Sequence, residues 1–175
     1  MTTSLPPPRL IETPYETFHF FFGATHPCSN WYARDFVVRG ITFAHNEQLM
    51  MYCKGRHFKD EAVSAKILET TDPMTCKKLG RAVKGFVEAE WLMHNRKYVL
   101  WGALEKFRQH ADLTEFLLAT QEATIVEASP YDRLYGIGVA MWDPRRLDRV
   151  NWTGLNLLGD ILMDVRYILQ KRLTT

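Results

Sequence analysis

The apolar positions along this chain follow two different periods. Over Thr17–Phe22 (TFHFFF) they are almost continuous and aromatic, the pattern of a buried strand. Phe36–Val38 and Ile41–Phe43 are short β-type runs flanking Arg39-Gly40, where glycine can supply the positive φ of a tight hairpin. From residue 46 the period becomes helical. Asn46 predicts an N-cap for a helix over about 46–57, and a second helix runs over about 60–70. Asp72-Pro73 sets a capping side chain before a proline at the first helical position and starts a third. A long helix over about 87–110 carries Trp91, Val99, Ala103 and Phe107 at compatible spacings. Asp112 and Glu115 form a capping-box-like pair for a short helix, and Ala123–Ala128 (ATIVEA) predicts a short strand. Leu157, Leu158, Ile161, Leu162, Val165, Ile168 and Leu169 hold one face of a closing amphipathic helix.

Two stretches stand outside these patterns. Residues 1–16, with Pro6, Pro7 and Pro8, offer little to bury and are expected to be a flexible, extended tail. Ser129–Asn151 is a loop containing Pro, Gly and Arg, longer than a compact domain usually needs, and such loops often carry function. There are no internal repeats. The expected fold class is mainly α (α+β): a single compact multi-helical domain over residues 17–175 with a small antiparallel β element.

Composition narrows the function classes. With 175 residues the chain can bury one sizeable core, and 46% apolar with 24% charged residues is ordinary for a soluble globular protein. Twenty-two basic against 20 acidic side chains leave a net charge of +2, which argues against a general nucleic-acid coat protein while leaving room for a local basic patch. Cys28, Cys53 and Cys76 are odd in number and lack CxxC spacing; they are expected to be free thiols in a reducing, cytoplasmic compartment. No apolar run approaches the roughly 18 residues of a membrane span, so no membrane partner is expected. The six histidines form neither HxxxH nor HxH pairs, so a metal site has no support from spacing.

Several segments carry a more specific signal through their order. They are Pro27-Cys28-Ser29-Asn30-Trp31-Tyr32, Asn46-Glu47-Gln48 opening a helix that continues to Lys54, Leu79-Gly80-Arg81, Trp91, Lys106-Phe107 and Leu117–Thr120 (LLAT). Then come Ile125–Ser129 (IVEAS), Asp132, Tyr135-Gly136-Ile137-Gly138, Trp152–Gly159 (WTGLNLLG) and Leu162–Arg166 (LMDVR). Together, over residues 18–173, they resemble the YbiA-like (NADAR) family. That resemblance implies an enzyme that hydrolyses an N-glycosidic bond, with two associated substrate types. One is a ribosylamino-pyrimidine phosphate of early riboflavin synthesis, the other ADP-ribose linked to guanine. Both join ribose C1 to an exocyclic amine of a guanine-like ring. The implied partner is therefore a small nucleotide or an ADP-ribosylated guanine in nucleic acid, with no cofactor and no obligate protein partner. Tyr135 stands where the family more often has Trp, a departure that bears on substrate preference.

Cleaving a ribosyl C1–N bond passes through an oxocarbenium-like state that carboxylates stabilise, while water is activated and the leaving amine protonated. Glu47, at a predicted helix N-terminus, is favoured as an ionised carboxylate by the helix dipole; an acid that only complements the dipole would sit there too. The family match marks Glu47 as the catalytic candidate. Asp132, in the loop after ATIVEAS, and Glu127, at the end of that strand, are further carboxylates; an Asx turn and a solvated strand face are the structural alternatives. Trp91 matches a family position and reads as a base platform or as core, with Tyr135 and Gly136 expected beside the base. Lys54 lies two helical turns after Glu47 and shares its face, where a cation could bind a substrate phosphate or pair with a carboxylate. Arg145 and Arg146, with Arg133 and Arg149, read as a pyrophosphate clamp or as a solvated cluster diluted by Asp143 and Asp148. Asn30 and Asn156 are expected to hold ribose hydroxyls or to brace backbone.

Overall fold

The structure is a computed structural model that describes residues 5–173. Among these residues the chain forms five strands, six α-helices and two short 3-10 turns. They group into two compact units: residues 30–109 form one continuous unit, and the described residues up to 29 together with those from 110 onward form the other.

In the discontinuous unit, β1 (Ile11–Glu12), β2 (Thr17–Phe21) and β5 (Thr124–Glu127) make a sheet in the order β1-β2-β5. β1 falls within the stretch expected to be a tail, yet it pairs antiparallel with β2, Ile11 opposite Phe18 and Glu12 opposite Thr17. The start of the expected tail, residues 1–4, lies outside the described residues. β2 and β5 run parallel, Phe18 opposite Thr124 and Phe21 opposite Glu127, so the β structure is mixed rather than purely antiparallel. About 100 residues separate these strands, ample for the long crossover that parallel pairing requires. Burial on both faces also explains why Phe18, Phe20 and Phe21 read as a continuous run. Phe18, Phe20, Val126, Ala128, Ile137 and Val139 form the core here. α5 (Ala111–Leu118) packs on α6 (Leu157–Leu173), and α6 packs on β5. Buried Arg166 of α6 donates through Nη1 to Thr120 Oγ1 at 2.7 Å and to the Ala123 carbonyl at 2.9 Å, tying the α5–β5 connection to α6.

The continuous unit opens on the β3 (Phe36–Val38) and β4 (Ile41–Phe43) hairpin. Arg39 and Gly40 adopt φ of 49° and 80°, the consecutive positive pair that matches a two-residue turn to strand twist. Four helices follow: α1 (Asn46–His57), α2 (Glu61–Leu68), α3 (Pro73–Arg81) and α4 (Glu88–Arg108). Asp72 caps α3 as expected, accepting from Thr75 N at 2.8 Å. The other two expected caps shift. His45, not Asn46, caps α1 through Nδ1, which takes the Gln48 N–H at 3.0 Å. His110 precedes α5, and Asp112 and Glu115 lie inside that helix. Helix α1 packs against α2, α3, α4 and β4. It meets α4 so closely that a Cβ on Gly102 would collide with Asn46 Oδ1.

The His45 cap gives α1 a pH dependence. With Nδ1 accepting, the ring proton sits on Nε2 and donates to the Thr71 carbonyl at 3.0 Å. Burial, with Lys106 adding to it, holds the His45 pKa below its ordinary value; the Thr71 carbonyl and Asp72 oppose this. The unfolded chain therefore binds the proton more tightly in the window from the lowered folded value up to about 6.5. Stability should rise with pH across that window and be lost as pH falls below about 6.5. Urea midpoints at about pH 7.5 and about pH 5.5 check this: the acid loss should shrink in His45→Asn, which keeps a cap without a titrating group. An unchanged difference in that variant would refute the role of His45.

Candidate active site

Helix α1 is the unusual element. Nine of its twelve residues are buried, and four of those are the polar Asn46, Glu47, Gln48 and Lys54. Buried polar groups in water-free surroundings need partners or a purpose. Gln48 has a structural one: it donates to the Ile67 and Thr70 carbonyls and accepts from Ala44 N. Asn46 donates to Asn30 Oδ1 at 2.8 Å and to the Val99 carbonyl at 3.2 Å, which locks α1 to α4 and to the loop before β3.

Glu47 and Lys54 form the chemical part. Glu47 is 4% exposed, in the first turn of α1, where the helix dipole favours its ionised form. Its backbone N–H donates to the Asn30 carbonyl at 2.9 Å, and its Oε2 accepts from the Trp31 indole Nε1 at 3.3 Å. Burial, then the charges of Glu47 and Asp72, push the Cys76 thiol up to about 11, which places the Glu47 carboxylate near α3 as well. Lys54 is 7% exposed; its Nζ lies 3.8 Å from the centre of the Phe86 ring and 5.8 Å from that of Trp91. Such aromatic faces hold a desolvated cation. Burial, then the nearby Arg81, pulls the Lys54 pKa below the ordinary lysine value, while Glu47 pulls it back up. Carboxylate and ammonium thus sit two turns apart on one helix face and feel each other's charge.

Trp91 is 8% exposed and stacks on Tyr98 with ring centres 5.6 Å apart, beside His57 and Phe58. The core-packing role is therefore visible directly, with Lys54 on the same indole. One residue that sequence reading passed over is Asn95. It is 1% exposed on α4, one turn from both Trp91 and Val99, and neither side-chain polar atom has a hydrogen-bond partner. Periodicity places it on the buried stripe of α4, between the points where that helix meets Lys54 and Asn46. An Asn in an otherwise apolar stripe was the available signal.

The remaining expected site residues lie in the other unit. Asp132 Oδ1 accepts from Leu134 N at 2.9 Å and Tyr135 N at 2.8 Å, the Asx-turn geometry. Glu127 ends β5, half-buried, its backbone N–H taken by Asn156 Oδ1 at 3.0 Å. Asn156 also donates through Nδ2 to the Ile125 carbonyl at 2.9 Å, so both halves of its amide brace β5. Gly136 sits where a Cβ would meet the Asp132 carbonyl at 2.9 Å, and Tyr135 is half-buried beside it. Arg145 grips Asp143 through two nitrogens, while Arg146 donates to the Asp143 carbonyl and lies 5.2 Å from the Phe20 ring centre. Arg149 pairs with Glu16. Arg145 and Arg146 thus share Asp143, one at its carboxylate and the other at its carbonyl, while Arg149 is held apart by Glu16.

Comparison with known proteins agrees with the architecture. The chain is 36% identical over 162 residues to an N-glycosidase of Acanthamoeba polyphaga mimivirus, covering 86% of this chain and 95% of that protein. It is 32% identical to the irg-1 protein of Caenorhabditis elegans over 86% of this chain and 79% of that one. The NMR structure of Escherichia coli YbiA superposes with a TM-score of 0.74 at 26% identity, covering 90% of this chain and 87% of that one. YbiA proteins of Shigella flexneri, 30% identical over 79% of this chain, are named N-glycosidases. A family model of the NADAR domain matches residues 20–170, both units included. The chain belongs to the NADAR domain family.

Proposed function

We propose that this protein is an N-glycosidase that hydrolyses the bond between ribose C1 and an exocyclic amine of a guanine-like ring. The observation that carries the reading is the buried Glu47–Lys54 pair on α1, in a family whose relatives include named N-glycosidases. As C1–N breaks, the sugar becomes an oxocarbenium-like cation, and the ionised Glu47 carboxylate stabilises it. Water adds its oxygen to C1 and gives up a proton, while the departing nitrogen gains one, so the proton count is unchanged. Lys54 suits that donation, because an ammonium with a lowered pKa is a stronger acid than an ordinary lysine. Trp31 and Asn30 hold Glu47 in place. ADP-ribosylated guanine and ribosylamino-pyrimidine phosphates are the two candidate substrates with this bond, and we assign the reaction to that class without a metal or cofactor in the chemical step.

The assay is incubation with ADP-ribosylated guanosine and, separately, with a ribosylamino-pyrimidine phosphate, following release of the free base-bearing amine. Turnover of either supports the reading. ADP-ribose binding with turnover of neither would make the chain a nucleotide-binding module instead. The acid role of Lys54 has its own signature. Activity should be lost as pH rises through the Lys54 pKa, so the alkaline limb of kcat/KM should lie below about 10.4, the ordinary lysine value. Lys54→Arg should remove that limb along with most of the activity; a limb unchanged in Lys54→Arg would rule Lys54 out.

A further inference from the structure

The other unit holds a chemistry that neither Glu47 nor Lys54 touches. His19 lies on β2, 2% exposed. Its Nδ1 is 3.1 Å from the Arg9 carbonyl, which can only accept, so Nδ1 carries the proton and Nε2 a lone pair. That Nε2 is buried and has no hydrogen-bond partner. A buried acceptor of this kind costs stability unless an electrophile or donor meets it. Two other donor side chains reach the same point: one ligand atom each from His19, His26 and Cys28 all lie within 4.8 Å of one another. His26 and Cys28 flank Pro27 as a His-x-Cys pair, and the Ser29 N–H to His26 carbonyl bond at 2.8 Å turns the chain there.

We propose that His19, His26 and Cys28 form a binding site for one zinc(II) ion. Two imidazoles and a thiolate are the borderline-soft donor set that zinc prefers, and three protein ligands leave a fourth tetrahedral position for water. Zinc bonds of about 2.0–2.3 Å set ligand atoms roughly 3.3–3.7 Å apart, so side-chain rotations of about an ångström complete the site. The Cys28 N–H donates to His26 Nδ1 at 3.2 Å, and coordination through that nitrogen replaces this bond. The Nδ1–H to Arg9 carbonyl contact orients the His19 ring, as outer partners of metal-bound imidazoles commonly do. A cavity of about 560 Å³, lined by Pro7, Arg9, His19, Thr25, His26 and Phe116 among others, gives an ion and its water a way in. Binding releases the Cys28 thiol proton and ties β2 to the 26–28 turn.

The test is titration of metal-free full-length protein with cobalt(II), a spectroscopic stand-in for zinc. The expected result is one equivalent taken up, with tetrahedral visible bands and a thiolate-to-cobalt charge-transfer band, both abolished by zinc. Cys28→Ser should lose the charge-transfer band, and His26→Gln, a change at a half-buried ring, should weaken uptake about tenfold or more. Zinc should also raise the melting temperature of the wild-type protein and not that of His26→Gln. No saturable uptake, or a charge-transfer band that survives in folded Cys28→Ser, would overturn the proposal. Hydrolysis by the Glu47 site is read separately, because none of its residues belongs to this donor set.

Discussion

Glu47→Gln is expected to lower kcat by about 100-fold or more while leaving the fold intact. Gln keeps the shape, and its amide oxygen can still accept from the Trp31 indole that now meets Oε2. What disappears is the negative charge that, in the mechanism proposed above, faces the cationic sugar in the transition state. Because that charge acts chiefly on the transition state, kcat and kcat/KM should fall together with KM little changed. The melting temperature is the control. Glu47 is 4% exposed beside a buried ammonium, and its removal leaves Lys54 with less compensation, so a modest loss of stability is consistent. Wild-type turnover in a folded Glu47→Gln protein would remove Glu47 from the chemistry.

Trp91→Ala should produce the largest change in stability. The indole is 8% exposed and meets Tyr98, His57, Phe58 and the Lys54 ammonium. Truncating a large buried aromatic typically costs about 3–5 kcal/mol, because the cavity collapses only in part. For a chain of this length that corresponds to a fall of roughly 6–20 °C in Tm. Trp91→Phe separates packing from ligand contact: it keeps most of the buried ring. Full activity in a folded Trp91→Phe protein would make Trp91 a packing residue that positions Lys54. A drop in kcat/KM without a comparable drop in Tm would make it a surface for the base. A Tm within about 2 °C of wild type in Trp91→Ala would contradict the packing seen here.

Much of the fold was legible because local chemistry and tertiary packing agree. Arg39-Gly40, Asp72-Pro73 and the closing apolar stripe each specify one conformation, and the structure adopts it. Where they disagree, tertiary contacts decide. Asn46 is a good capping residue, but its amide is drawn inward to Asn30 and Val99 by the close approach of α4 at Gly102, and His45 takes the cap. The parallel pairing of β2 with β5 joins residues about 100 positions apart, and no local pattern encodes that partner.

The candidate site divides in the same way. Glu47 and Lys54 share a helix face by spacing alone, and the family resemblance singled out Glu47. Their surroundings are not local: Phe86, Arg81 and Cys76 reach the pair from elements distant in sequence. Polar residues in loops were the least legible. Asp132 and Asn156 have the side chains a ribose would need, and those same oxygens and amides suit backbone bracing, which is what the structure shows them doing. The His19, His26 and Cys28 group escaped spacing rules because β2 and a turn, rather than one helix, bring its members together.

The most direct test of C1–N hydrolysis is to run the reaction on ADP-ribosylated guanosine in heavy-oxygen water and to weigh both products. Cleavage at C1–N predicts that the released guanine nucleoside keeps its exocyclic nitrogen and carries no heavy oxygen, while the ADP-ribose leaves without nitrogen at C1. Heavy oxygen on the base, with the nitrogen retained on the ribose, would mean attack at the ring carbon and would contradict the account.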